Sequence, residues 1–145
     1  MPIVRFRKVR DRAQAPEYQT WGAAGADLRA CLDEPVTLRM GDRALVPTGL
    51  ALELPIGYEA QIRPRSGWAK KCGVTVLNAP GTIDPDYRGE VGVLLVNLGD
   101  MPVTIADGDR IAQLVVSEFC MGRFEEAEEL GETERGEAGF GSTGS

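Results

Sequence analysis

The feature that most constrains the fold of this chain is the grouping of its apolar residues. Val, Ile and Leu occur in short runs separated by Gly, Pro and Asp, and no segment sustains the apolar spacing of an amphipathic helix. Short runs of this composition between turn-forming residues are typical of β-strands. The predicted strands are IVRFRKV, ALVP, ALELP, YEAQIRP, VTVLN, EVGVLLVN, VTI and IAQLVVSEF. Their regular spacing predicts an all-β sandwich or barrel rather than alternating strands and helices.

One segment, SGWAKKCG at residues 66–73, has the features of a short helix. Ser66 is a residue type preferred at helix N-caps, and Gly73 is the type preferred just beyond a helix C-terminus. We expect a turn or two of helix here, following the strand YEAQIRP.

A change of composition near residue 124 divides the chain. Its 145 residues suffice for one domain with a core and are too few for two ordinary ones. Six acids then fall within ten residues without a base: Glu125, Glu126, Glu128, Glu129, Glu132 and Glu134. Without these six, the remaining acids equal the 16 Lys and Arg residues in number. We predict a β-domain over residues 1–124 and an acidic linker with a flexible, Gly-rich arm over residues 125–145.

Composition argues against several classes of function. A domain with balanced charge has no basic surplus for duplex nucleic acid, and no apolar run approaches the roughly 18 residues of a membrane helix. The first residues lack the apolar stretch of a secretory signal, and Cys31, Cys72 and Cys120 are too widely spaced for a zinc motif. We therefore expect a cytoplasmic protein with free thiols.

The chain contains no histidine. Histidine is the commonest general base and the commonest ligand of transition metals in proteins. If the chain catalyses acid–base chemistry, that chemistry must depend on carboxylates.

Two stretches place polar residues beside Gly, as ligand sites do. AGADL, residues 24–28, puts Asp27 at the start of a strand, where a simple turn carboxylate is the alternative interpretation. PRSG, residues 64–67, puts Arg65 and Ser66 before the predicted helix, whose first amides and dipole would favour an anion such as phosphate. A capped surface turn with an exposed Arg is the alternative there.

GDRIAQL, residues 108–114, leads from a turn into a strand. Arg110 and Gln113 are candidate donors to an anion. A salt bridge between Arg110 and one of the acids is the alternative interpretation.

NAPGTIDPDYRGEV, residues 78–91, is the densest stretch. Turn signals bracket Asp84, Asp86 and Tyr87, which we expect to lie in a β-hairpin. Acids in turns usually cap backbone amides. Asp84, however, follows an apolar residue that would hold it near the core, and it supplies the carboxylate that a histidine-free enzyme would need.

The last stretch, RGEAGFGSTGS at residues 135–145, combines the composition of a mobile tail with a large apolar ring. Arg135 and Phe140 stand among glycines able to fold closely round a ligand. A disordered tail with an isolated Phe is the alternative interpretation.

Taken in order and spacing, these five stretches resemble the motif set of the trimeric deoxyuridine triphosphatases, the dUTPases. The resemblance runs from about residue 24 to the end of the chain. It implies a jelly-roll-like β-domain of the β-clip type, assembled as a homotrimer with active sites at the subunit boundaries. It also implies hydrolysis of dUTP to dUMP and pyrophosphate with Mg²⁺, which keeps uracil out of DNA and supplies dUMP for thymidylate synthesis.

The resemblance also implies roles for individual residues. Asp84 would activate the attacking water, and Asp27 would organise the hydrated magnesium ion through water. Asn78 would recognise uracil, Tyr87 would pack on the deoxyribose and exclude a 2′-hydroxyl, and Phe140 would stack on the base when the arm closes. The implied substrate-binding residues are Arg65, Ser66, Gly67, Asn78, Thr82, Tyr87, Arg110, Gln113, Arg135, Phe140, Gly141 and Ser142.

Two alternatives stay open. A dCTP deaminase is similar around PRS and IDP, but its pattern continues with Gly and Trp where this chain has Asp86 and Tyr87, and it needs a Glu where Leu94 stands. A non-catalytic trimer that binds a nucleotide is the second alternative. Trp68 after PRSG and the acidic linker depart from the common family pattern.

Overall fold

Ten strands and one short helix organise the chain in the computed structural model, which describes residues 1–140. The strands are β1 (Arg5–Lys8), β2 (Ala26–Arg29), β3 (Val36–Leu38), β4 (Arg43–Glu53), β5 (Tyr58–Arg63), β6 (Val74–Val76), β7 (Gly81–Ile83), β8 (Glu90–Asn97), β9 (Val103–Ile105) and β10 (Arg110–Glu118). The helix α1 (Ser66–Cys72) follows β5. The predicted all-β class is confirmed.

Two four-stranded antiparallel sheets form the body. The first has the order β1-β4-β8-β6 and the second the order β2-β10-β5-β7, while β3 and β9 form a separate pair. Alternate residues of the strands point inward, as Val91, Val93 and Leu95 do in β8. The side chains of both sheets join one buried cluster, so the sheets enclose a common core.

Strand β4 is longer than the sequence pattern suggested. ALVP and ALELP are predicted as separate strands, yet they form one strand that continues through Thr48 and Gly49. The pairing with β8 shifts between Pro47 and Ala51, which marks an irregularity of the bulge type. Gly49 has a φ of +70° there, a conformation that Gly adopts without steric cost.

The prediction of a β-hairpin over residues 78–91 is wrong. Strand β7 pairs with β5 in the second sheet, whereas β8 pairs with β4 and β6 in the first. Residues 84–89, here called the crossing loop, therefore run from one sheet to the other. The turn-forming residues do lie between strands, as predicted, but partners distant in sequence determine which strands pair.

The helix α1 confirms the predicted segment but not its predicted cap. Arg65, not Ser66, is the N-cap residue, and no side chain bonds to the first amides. Gly73 ends the helix with a φ of +70°, as predicted. Trp68 and Cys72 pack against the core from one side of the helix.

No helix within residues 1–140 is long and apolar enough to cross a membrane. After β10 ends at Glu118, the described residues 119–140 contain no helix or strand, and Phe124 and Leu130 are exposed. The domain boundary at residue 124 stays a prediction.

Candidate active site

A buried carboxylate holds two arginines together at the edge of the second sheet. Asp27 in β2 is 3% exposed. Its Oδ2 accepts a hydrogen bond of 3.2 Å from Arg110 Nη1, and its Oδ1 lies 3.7 Å from Arg65 Nε. Arg65 also donates from Nη1 to the Arg110 carbonyl at 3.0 Å. A charge removed from water needs such partners, so Asp27 fixes both guanidinium groups.

Strand pairing also brings Gln113, a candidate hydrogen-bond donor to an anion, beside these residues. Asp27, Arg65, Arg110 and Gln113 are here called the arginine cluster. Gln113 stands opposite Asp27 on one side of β10 and opposite Arg63 of β5 on the other. A Cβ at Gly25 would lie 3.1 Å from the Gln113 Cβ. Glycine in AGADL therefore leaves space for the Gln113 side chain. Arg110 thus forms a salt bridge with an acid, Asp27, which was the alternative interpretation of this residue.

Ser66 and Gly67 of PRSG follow Arg65 directly in the chain, after the end of β5. Open space surrounds Gly67, since a Cβ there would meet no atom within 4 Å. The adjoining cavity of about 390 Å³ is lined by Arg29, Arg65, Trp68, Val103, Thr104, Gly108, Asp109 and Arg110. The edge is therefore rich in cationic and hydrogen-bonding groups suited to a polyanion.

A second group of predicted site residues lines another cavity. Asn78, Thr82, Asp84 and Tyr87 all face a cavity of about 260 Å³, here called the Asp84 cavity, together with Glu90 and apolar residues. Asp84 is exposed and follows the buried Ile83, as the sequence predicted. This combination of two carboxylates, one amide and one aromatic ring suits a nucleoside, which offers a polar edge and flat faces.

The arm residues lie apart from both groups in the described chain. Arg135 donates from Nε to the nearby Ala138 carbonyl at 2.8 Å, and Phe140 is fully exposed. Gly141 and Ser142 lie outside the described residues. Closure of the arm over a ligand therefore stays a prediction.

Among residues 1–140, the Asp84 cavity and the cavity beside Arg65 and Arg110 share no lining residue. A ligand that contacts both groups of residues must therefore span the distance between them, or the arginine cluster of one subunit must meet the Asp84 cavity of another.

The magnesium prediction can be compared with the donors that the chain offers. Within residues 1–140 no three Asp, Glu, Cys or His side chains are grouped to hold a metal ion. Asp27 is a single carboxylate beside anion-binding groups. Mg²⁺ commonly binds one or two carboxylates, several waters and the phosphates of a substrate. The residues thus fit a magnesium ion bound together with a polyphosphate, not a dedicated protein cage.

Sequence reasoning missed the side chains that support these groups. Asp107 accepts the Leu32 amide at 2.8 Å and Arg12 Nε at 3.1 Å, which fixes the turn before Arg110. The Leu32 amide and the Arg12 guanidinium hold the pKa of Asp107 below its usual range, against the effect of burial. The basic residues near the N-terminus, such as Arg12, were a signal for ion pairs. The sequence did not show their partners, because these lie far along the chain.

Glu90 is the other omission. It lies at the start of β8 beside the Asp84 cavity. The hydrogen-bonded Arg10 guanidinium holds the pKa of Glu90 below its usual range, and the Gly49 amide acts in the same direction while burial opposes both.

Comparisons with known proteins give a consistent result. A family model described as dUTPase matches residues 11–144. The chain is 55% identical over 142 residues to a deoxyuridine 5'-triphosphate nucleotidohydrolase of Bdellovibrio bacteriovorus, covering 97% of this chain and 95% of the relative. It is 59% identical over 148 residues to the protein of the same name from Anaeromyxobacter sp., covering 99% of each.

Solved structures of dUTPases have the same fold as this chain. The dUTPase of Staphylococcus bacteriophage 80alpha with dUPNHPP superimposes with a TM-score of 0.86 at 27% identity, covering 99% of each chain. A mutant of the phage 80alpha dUTPase gives a TM-score of 0.88 at 26% identity, covering 97% of this chain and 98% of that one.

Proposed function

The chain belongs to the dUTPase family, and from this membership we infer that it is an enzyme that hydrolyses dUTP to dUMP and pyrophosphate. The observation that carries this conclusion is the match across residues 11–144, which includes all the motifs that form the two groups above. The reaction removes dUTP that would put uracil into DNA, and it supplies dUMP for thymidylate synthesis.

Asp84 is our candidate for the base. It would orient and deprotonate a water molecule that attacks the α-phosphorus, with pyrophosphate as the leaving group. The exposed carboxylate beside the Asp84 cavity can receive a proton from water. A positioned general base typically contributes about 10²–10⁴-fold to the rate. The chain has no histidine that could take this role.

The arginine cluster is our candidate for the triphosphate site. Arg65, Ser66, the Gly67 amide and Gln113 would bind phosphate oxygens and neutralise charge that moves toward the leaving pyrophosphate. Arg110 is held by Asp27, so its first role is to keep that carboxylate and Arg65 in place. Its remaining N–H groups can still donate to a phosphate.

When bound, Mg²⁺ would neutralise triphosphate charge, held mainly by phosphate oxygens and waters and through water by Asp27. In this proposal Asp27 would both orient the two arginines and help to position the waters of the metal.

The Asp84 cavity is our candidate for the nucleoside site. The Asn78 side chain and nearby backbone groups would bond to the edge of uracil, and Thr82 would contribute to the same pocket. A cytosine presents a donor where uracil presents an acceptor, which would cost about 1–3 kcal/mol per unsatisfied buried group. Tyr87 would pack against the deoxyribose, so that a ribose 2′-hydroxyl finds no space.

We propose a homotrimer with an active site at each subunit boundary. The two groups of site residues line separate cavities in one chain, and a boundary between subunits would let them meet. Arg135, Phe140, Gly141 and Ser142 would close over the nucleotide, with Phe140 stacked on the base. Base–aromatic stacking is worth about 1–3 kcal/mol. Residues 125–134 would be the linker that lets the arm reach the active site. A cytoplasmic location stays a separate prediction.

One assay separates the alternatives. The purified protein would be mixed with Mg²⁺ and either dUTP or dCTP, and both pyrophosphate and ammonia would be measured. We expect pyrophosphate from dUTP and no ammonia from dCTP, since Leu94 offers no carboxylate for deamination. Ammonia from dCTP would favour the deaminase. Tight dUTP binding without any product would favour the non-catalytic trimer.

A further inference from the structure

The crossing loop, residues 84–89, carries Asp84 and Tyr87 between the two sheets. At its first end, Ile83 pairs with Ala60 of β5 in the second sheet. At its other end, Glu90 pairs with Ala51 of β4 in the first sheet. The position of Tyr87 therefore depends on how firmly the start of β8 is attached to the first sheet.

A clamp centred on the Glu90 side chain makes this attachment. Arg10 donates from Nε to Glu90 Oε1 at 2.7 Å and from Nη2 to Oε2 at 3.2 Å, so the pair is joined at two points. The Gly49 amide donates to Glu90 Oε1 at 2.9 Å. Three elements thus meet at one carboxylate: the segment after β1, the bulge of β4 and the start of β8.

The surroundings hold the clamp in one geometry. The Val9 amide donates to the Gly49 carbonyl at 2.8 Å, and a Cβ at Gly49 would lie 3.1 Å from the Arg10 Cβ. The buried Thr48 hydroxyl donates to the Val91 carbonyl at 2.6 Å. The bulge and the start of β8 are therefore joined by side chains where the regular strand pairing is interrupted.

Tyr87 is tied to the same residue. Its hydroxyl donates to the Glu90 carbonyl at 3.0 Å. The ring lies over Gly89, where any side chain would collide with it. The Tyr87 amide in turn donates to the Asp84 carbonyl at 3.2 Å. A displacement of Glu90 would therefore move Tyr87 and, through the loop, Asp84.

We propose that Glu90, clamped by Arg10 and the Gly49 amide, is a positioning residue that fixes Tyr87 for discrimination between deoxyribose and ribose and keeps Asp84 in line for catalysis. The inference rests on the proposed function, because it assigns a supporting role to the same site. Glu90 acts through Tyr87 and Asp84.

The test compares dUTP with UTP in Glu90→Gln. The variant keeps the shape of the side chain and can still accept the Gly49 amide, but it loses the ionic bond to Arg10. We expect kcat for dUTP to fall about 10-fold, since small misplacements of catalytic groups can cost up to about 100-fold. We also expect the ratio of kcat/KM for dUTP over UTP to fall by a similar factor of about 10, because a displaced Tyr87 leaves space for a 2′-hydroxyl.

Glu53→Gln is the matched control. Glu53 forms a similar pair with Arg5 at 2.9 Å, which also links β1 to β4. Arg88 of the crossing loop lines the adjoining cavity, but within residues 1–140 neither Arg5 nor Glu53 forms a hydrogen bond or ion pair with the loop. This variant should leave both kcat and the dUTP/UTP ratio unchanged. Arg10→Gln should reproduce the effect of Glu90→Gln, and the double variant should be no worse than either single one, because both remove the same contact.

Circular dichroism and gel filtration check that each variant keeps its fold and assembly. If Glu90→Gln fails to fold, Arg10→Lys replaces it, since lysine keeps the charge and loses the two-point geometry. The ratio should then fall less but in the same direction. A folded Glu90→Gln or Arg10→Lys with the wild-type ratio overturns the positioning role. Wild-type protein that releases no pyrophosphate from dUTP overturns the proposed function instead.

Discussion

Replacing Asp27 with asparagine tests the arginine cluster, because the change removes a charge with little change of shape. Asp27 is 3% exposed and lies 3.2 Å and 3.7 Å from two guanidinium groups. Removing one partner of a fully buried ion pair costs about 3–5 kcal/mol, because the other charge is left unpaired. The side chains of Arg65 and Arg110 keep 24% and 40% of their exposure, so water screens part of the loss. We expect Asp27→Asn to lower the free energy of unfolding by about 1–3 kcal/mol.

Urea unfolding at one fixed protein concentration, followed by tryptophan fluorescence, measures this loss. Asp33→Asn is the control, because Asp33 pairs with Arg12 at 2.9 Å but its side chain is 85% exposed. We expect a change below about 0.5 kcal/mol for this surface pair. Equal small losses in the two variants would refute the argument that burial makes the Asp27 contacts important.

Three further predictions concern the backbone, the arm and acid sensitivity. Gly49→Ala should lower the free energy of unfolding by about 2–4 kcal/mol, because φ is +70° and the new Cβ would lie 2.6 Å from the Ala13 Cβ. Gly41→Ala, at a similar φ but in open space, should cost less in the same urea experiment, and an equal cost would contradict the packing argument. Truncation after Glu134 should preserve the melting temperature and abolish most pyrophosphate release from dUTP, whereas an unfolded product would make the arm structural. Because the pKa of Glu90 is lowered in the folded chain, its pair with Arg10 stabilises the protein above the ordinary carboxyl pKa and loses that effect as the pH falls through the folded value. The difference in unfolding free energy between the wild type and Glu90→Gln should therefore shrink as the pH falls from neutral through the lowered pKa of Glu90, and a constant difference would contradict the assignment.

Local patterns predicted what local forces determine. The apolar runs predicted most of the strands, and Gly73 correctly marked the end of the helix because only a residue tolerant of positive φ ends it there at low cost. The strands β3 and β7, of three residues each, were not predicted, although β9 of the same length was. The two halves of β4 were predicted as separate because TGL resembles a turn, while pairing with β8 keeps the strand continuous.

Contacts between distant residues explain the remaining errors. The hairpin prediction failed because β7 and β8 each find partners elsewhere in the chain. The predicted cap at Ser66 failed by one residue, and the Arg65 side chain turns instead toward Asp27 and the Arg110 carbonyl. No local pattern could have linked Arg10 to Glu90, which lie 80 residues apart. Resemblance to a family suggested the candidate site residues, which stay predictions, whereas the supporting contacts required coordinates.

Pyrophosphate release by Asp84→Asn in a single turnover is the most direct test of the claim that this carboxylate activates water. Asp86→Asn is the matched control, since Asp86 is another exposed acid of the crossing loop and does not line the Asp84 cavity. With saturating dUTP and Mg²⁺, we predict that Asp84→Asn binds dUTP normally and that its rate falls by about 10² or more, while Asp86→Asn stays close to wild type. A rate for Asp84→Asn equal to that of the control would contradict the role of Asp84.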